Sequence, residues 1–211
     1  MGCAPRPRES MRTPTRAMLQ AMGAATRPWY SIAEYVRLEA YANVKHEYLD
    51  GQLFAMAGGT PEHARRASAV SAALVAQLRS RPCAVYSSDA RVRIVATGLD
   101  TYPDVTVVCG HEQRDEEDLL ALTNPIVLVE VTSESSETYD RGEKLEQYKQ
   151  IPALREVVLV SHREPRIEVF RRAGDGGWGS AEEAGAGGSV QLTSVGCALV
   201  VDEVYRDPFA G

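Results

Sequence analysis

The run Ile126-Val127-Leu128-Val129-Glu130-Val131 constrains this chain more than any other segment. Five of its six residues are apolar and four are β-branched. A strand with one wet face alternates apolar and polar residues, whereas a continuous run of this kind is buried on both faces. The segment therefore predicts a central strand with covering layers above and below it. Its one polar residue, Glu130, is costly in such a place unless it is paired, protonated or bound to a cation.

The flanking sequence supplies those layers. Ser31 and Glu34 have capping-box spacing and open a short amphipathic helix through Ile32, Tyr35, Val36 and Leu38. His46–Leu49 and Gln52–Met56 are joined by Asp50-Gly51, a strong hairpin signal because that turn needs positive φ. Thr60 suits an N-cap and Pro61 the first helical position, so a helix is expected to run to about Arg79 with Val70, Leu74 and Leu78 on one face. Strands follow at 84–87, 92–95 and 104–108, with a polar loop at 111–118 before the central strand. A helix over 136–150, a strand pair at 157–160 and 167–170, a loose Gly-rich hairpin at 174–188 and a last strand near 198–201 complete the order. This is an α/β pattern: a mixed central sheet flanked by helices, with an N-terminal helix and hairpin, in one domain over residues 29–211.

Residues 1–28 are rich in Pro, Arg and Ala and read as a flexible extension. They carry five arginines against Glu9, a balance of +4, so the net charge of -6 leaves -10 on the rest of the chain. An acidic body argues against a high-affinity non-specific DNA coat, which is driven by Lys and Arg. It is compatible with a site whose acids are offset by divalent ions. No apolar run approaches a membrane span, and none has the layout of a signal peptide. The four cysteines, Cys3, Cys83, Cys109 and Cys197, lack CxxC spacing and read as reduced thiols of a cytoplasmic protein.

Three acids stand in unusual settings: Glu130, Asp104 after Tyr102-Pro103 at the start of an apolar strand, and Glu47 in the hairpin. Singly, Asp104 reads as a strand cap, Glu130 as half of a buried ion pair with Arg91, Arg93 or Lys144, and Glu47 as a solvated residue. Together they read as hard oxygen donors of the kind that suit Mg²⁺ or Mn²⁺. The histidines (46, 63, 111, 162) are dispersed without metal-ligand spacing, and His63, at the start of a helix, is expected to cap it or face solvent in preference to lining the site. Ser133–Ser136 reads as loop and helix cap, and Gly58-Gly59 lacks the spacing of a phosphate loop. Trp29 and Trp178 read as packing residues.

Four segments carry a family resemblance: Glu47-Tyr48-Leu49-Asp50-Gly51, Pro103-Asp104-Val105, Val129-Glu130-Val131-Thr132-Ser133, and Tyr139–Leu145 with Tyr148. In that order they resemble the Uma-two family of endonucleases, within the PD-(D/E)xK restriction-endonuclease-like superfamily, over roughly residues 29–172. The resemblance implies a restriction-endonuclease-like core in which Asp104 and Glu130 bind Mg²⁺, with Mn²⁺ as substitute, and Glu47 is an accessory acid. A literal (D/E)xK motif would place lysine at 132, where this chain has Thr132; the resemblance moves that role to Lys144 on the following helix. It further implies hydrolysis of DNA phosphodiesters, and a homodimer. The rival expectations are a nuclease-fold module that binds nucleic acid or protein without cutting, and a metal-dependent hydrolase of small phosphoesters.

Overall fold

The computed structural model of the chain describes residues 28–209. The extension expected over residues 1–28 lies, Pro28 aside, outside the described residues, as does Cys3.

The predicted local signals fold as their chemistry dictates. Helix α1 (Ile32–Glu39) starts with a complete capping box between Ser31 and Glu34. Strands β1 (His46–Leu49) and β2 (Gln52–Ala55) form an antiparallel hairpin with Leu49 opposite Gln52. Its turn residues Asp50 and Gly51 have φ of 47° and 74°, the double positive φ of a tight hairpin turn. Gly51 is also required by contact: a Cβ there would sit 2.4 Å from the indole of Trp29, which packs over the turn. Helix α2 (Pro61–Leu78) is capped by Thr60 and buries Val70, Leu74 and Leu78.

Beyond α2 come β3 (Cys83–Ser87), β4 (Arg91–Ile94), β5 (Leu99–Thr101), β6 (Val105–Cys109), β7 (Ala121–Leu122) and β8 (Val127–Val131). Helices α3 (Glu137–Arg141) and α4 (Glu143–Tyr148) precede β9 (Glu156–Val160) and β10 (Arg166–Arg171). The chain ends with β11 (Glu182–Gly185), β12 (Ser189–Leu192), β13 (Cys197–Val200) and α5 (Val201–Tyr205).

A mixed six-stranded sheet, in the order β11-β10-β9-β8-β6-β3, is the centre of the molecule, and β8–β9 is its parallel pair. All five residues of β8 are buried, as the apolar run requires. Val127, Val129 and Val131 join the cluster containing Val70, Leu74 and Leu78 of α2. Leu128 points to the other face, into a cluster with Leu145 and Tyr148 of α4 and Val92, Ile94 and Leu99 of β4 and β5. Each such aliphatic side chain contributes on the order of 1.5–3 kcal/mol on burial. Glu130 shares the face of Leu128, because side chains alternate along a strand.

Four expectations are corrected. The strands do not make one sheet: a second, five-stranded sheet, β2-β1-β5-β4-β7, packs on the α4 side, and β12-β13 form a separate pair. The helix expected over 136–150 breaks at Gly142 (φ −107°, ψ −104°), a weak helix former that separates α3 from α4. The Gly-rich segment is no plain hairpin: a turn at 174–176 closes an Arg172–Trp178 bridge, after which β11 pairs with β10. Cys83 and Cys109 are not reduced thiols but a disulfide. They lie 26 residues apart and meet only because the β3–β6 register sets them directly opposite. Cys197 is free and buried. Among the described residues, no helix is long and apolar enough to cross a membrane.

Candidate active site

Backbone register builds the first part of the site. Strands β6 and β8 pair antiparallel with Val105 opposite Val129, and one further step along the same register sets Asp104 opposite Glu130. The backbone N–H of Val131 donates to Asp104 Oδ2 at 2.7 Å, which ties the carboxylate to the neighbouring strand. The adjacency of the two acid-bearing strands, which spacing alone left open, is therefore present.

Lys144 arrives from α4, and the break at Gly142 precedes it by two residues. Its Nζ lies 2.9 Å from Glu47 Oε1, 3.0 Å from Glu130 Oε1 and 3.9 Å from Asp140 Oδ1; Lys144, Glu130 and Asp140 are buried and Glu47 is partly so. The structure thus gathers Glu47, Glu130 and Lys144 into one cluster. Arg91 and Arg93, the other cations considered for Glu130, pair instead with Asp118 and Asp100. Thr132, where a literal motif would have lysine, is buried; its hydroxyl lies 3.0 Å from His162 Nδ1.

Further side chains complete the cluster. The Tyr148 hydroxyl donates to Glu130 Oε1, and the Thr101 hydroxyl to Glu47 Oε1. Ser136 Oγ donates to Asp140 Oδ2 at 2.6 Å. His63 Nε2 faces Asp104 Oδ2 at 3.2 Å, so the histidine expected to cap its helix or face solvent turns toward the site. The sequence offers His63 as a site-lining residue only behind a cap or solvent role, and Asp140 only as a surface ion-pair partner of Lys144 one helical turn away; Tyr148 carries a signal in its inward phase on a short helix.

Burial raises Glu130 above the usual carboxylate range, and the Lys144 ammonium opposes that rise. Burial likewise raises Asp140, again against Lys144 and the Ser136 hydrogen bond. Desolvation alone would lower Lys144, yet Glu130 and its neighbours outweigh it and hold the amine charged. The hydrogen bond from His63 to Asp104 raises the imidazole above its ordinary value. Three carboxylates (Glu47, Glu130, Asp140) thus surround one ammonium, with Asp104 beside His63 at the neighbouring strand end, a surplus of acids that favours an added cation.

The donor set suits a hard divalent ion. Among the described residues no three His, Cys, Asp or Glu side chains form a metal cage by themselves. Mg²⁺ does not need one, since it binds through one or two carboxylates and keeps several waters. Asp104 uses Oδ2 and Glu130 uses Oε1 for the hydrogen bonds above, and no described residue donates a hydrogen bond to Asp104 Oδ1 or Glu130 Oε2. The site opens into a cleft of about 1300 Å³ whose lining includes Glu47, His63, Asp104, Glu130 and Lys144.

The sequence model of the Uma2 family, described as "Putative restriction endonuclease", matches residues 32–200. The chain belongs to the Uma2 family. Its similar proteins include two uncharacterized proteins of Synechocystis sp. One, slr1290, is 35% identical over 90% of this chain and 98% of its own length. The other, sll1609, is 29% identical over 82% of this chain and 97% of its own. Among solved structures, a "putative nuclease belonging to DUF820" from Anabaena variabilis superposes with a TM-score of 0.67 at 17% identity, covering 83% of this chain and 97% of that one. That likeness establishes a shared fold, restriction-endonuclease-like, for this Uma2 chain.

Proposed function

We propose that this protein is a divalent-metal-dependent endonuclease that hydrolyses phosphodiester bonds in DNA. The observation that carries the proposal is the convergence of Asp104, Glu130 and Lys144, with Glu47, at one end of the β6–β8 pair beside an open cleft. Family membership supports the same reading.

In this reading Asp104 and Glu130 hold Mg²⁺ or Mn²⁺ through the carboxylate oxygens that no hydrogen bond occupies. A bound divalent ion supplies positive charge against the scissile phosphate and its departing oxygen. Lys144, kept protonated by Glu47 and Glu130, offers N–H donors to a phosphate oxygen as negative charge grows on it in the transition state. Glu47 and the Tyr148 hydroxyl hold the amine and Glu130 in place, so little reorganisation is needed as the reaction proceeds. A homodimer would supply two such sites for a double-strand break, and sedimentation of the purified chain tests that part.

The deciding experiment is plasmid nicking in Mg²⁺ or Mn²⁺ with wild type, Asp104→Ala and Glu130→Ala. Metal-dependent cutting lost in both variants supports the proposal; cutting that survives both, or no cutting by wild type, defeats it. One observation favours a second reading, a binding module that no longer cuts: the lysine is already satisfied by two acids, buried Glu130 and partly buried Glu47. That reading predicts Mn²⁺ or DNA binding by wild type with no strand breakage.

A further inference from the structure

His63 is the third residue of α2, and its backbone N–H is held by the Thr60 side chain at 3.2 Å. This fixes where the imidazole leaves the helix. Gly59 leaves room for the ring: a Cβ at that position would lie 2.7 Å from His63 Nδ1 and 2.9 Å from Cγ. On its far side the ring presents Nε2 to Asp104 Oδ2 at 3.2 Å, and that same oxygen accepts the Val131 N–H at 2.7 Å. Two donors, one from a helix and one from a strand, thus converge on a single carboxylate oxygen. Together they fix the rotation of the Asp104 carboxylate, so that Oδ1 is the oxygen left to turn toward the cleft.

We infer that His63 is a positioning residue for Asp104, holding through its Nε2–H the carboxylate that binds the divalent ion. The inference rests on the proposed function and adds to it a residue outside the acid–lysine set. An Nε2–H is available both in one neutral tautomer and in the imidazolium, so the role does not depend on a change of charge. Gly59 is the second part of the device, because any side chain there displaces the ring. Removing such an outer hydrogen-bond partner of a ligating group costs about 10–100-fold in metal affinity in well-studied sites.

The test is Mn²⁺ titration of the full chain, followed by electron paramagnetic resonance of the free ion, with thermal midpoints recorded for every variant. His63→Ala is expected to weaken Mn²⁺ binding by about 10–100-fold. His63→Gln, whose amide nitrogen can occupy the place of Nε2, should recover most of the affinity. Gly59→Ala should weaken binding although the imidazole is still present. Wild-type affinity in His63→Ala, or failure of His63→Gln to recover it, overturns the inference while leaving the acid pair intact. A wild type whose Mn²⁺ uptake matches that of Asp104→Ala removes the metal site itself, and the proposed function falls with it.

Discussion

Asp104 and Glu130 face each other across two antiparallel strands, one step past the paired Val105 and Val129. Glu130 lies within β8, and Asp104 stands immediately before β6, tied to β8 by the Val131 N–H. The other face of both strands is locked into the α2 core, which anchors the strand ends that carry the two carboxylates.

Lys144 should prove structural as well as functional. Lys144→Met leaves buried Glu130, and partly buried Glu47, with no nearby ammonium, and breaking a buried pair such as Lys144–Glu130 costs about 3–5 kcal/mol. Urea unfolding should show that loss. The double variant Lys144→Met, Glu130→Gln should recover part of it, because the stranded charge has been removed.

Tyr148 is fully buried and its hydroxyl donates to Glu130. Tyr148→Phe keeps the packing and removes one donor, so a loss of about 1–3 kcal/mol is expected. Chemical denaturation measures it; an unchanged midpoint would mean that the hydroxyl contributes nothing net.

The Cys83–Cys109 bridge closes a loop of 26 residues of sequence separation. Loop-closure entropy gives such a crosslink about 3–4 kcal/mol. Reduction, or Cys83→Ser with Cys109→Ser, should lower the thermal midpoint. It should leave Mn²⁺ affinity alone, since Cys109 lies at the opposite end of β6 from Asp104, about 17 Å away along an extended strand.

Asp100 should impose a pH dependence on stability. Burial pushes its carboxyl up to about 7 despite the Arg93 guanidinium, with Asp118 adding to the rise. The folded state therefore holds a proton that the unfolded chain, with an ordinary carboxyl near 3.8, has already released. This group's contribution is full below about pH 4 and declines as the pH rises toward and through 7. Urea midpoints across that interval should show a shallower decline with rising pH in Asp100→Asn than in wild type; equal slopes would remove Asp100 as the cause.

What could be read from the chain follows the range of the forces involved. The caps at Ser31 and Thr60, the Asp50-Gly51 turn and the doubly buried strand around Glu130 are local chemistry, and all stand where the sequence put them. Short strands such as β5 and β7 carry no period of their own; they exist because a neighbouring strand offers hydrogen bonds. The disulfide and the His63–Asp104 contact join residues 26 and 41 positions apart, and no spacing rule encodes them. The meeting of Lys144 with Glu47 and Glu130 was legible through resemblance alone, because its physical basis is the approach of a separate helix to the sheet.

The pairing of β6 with β8 also makes the site all-or-none. Strand pairing moves in whole residues, and a single step of slippage turns each side chain to the opposite face. One residue inserted into either strand would send its acid toward the α2 layer rather than displace it slightly. Natural variation in this part of the chain should therefore appear as exchanged side chains, with changes of length confined to the connection between Gly110 and Pro125.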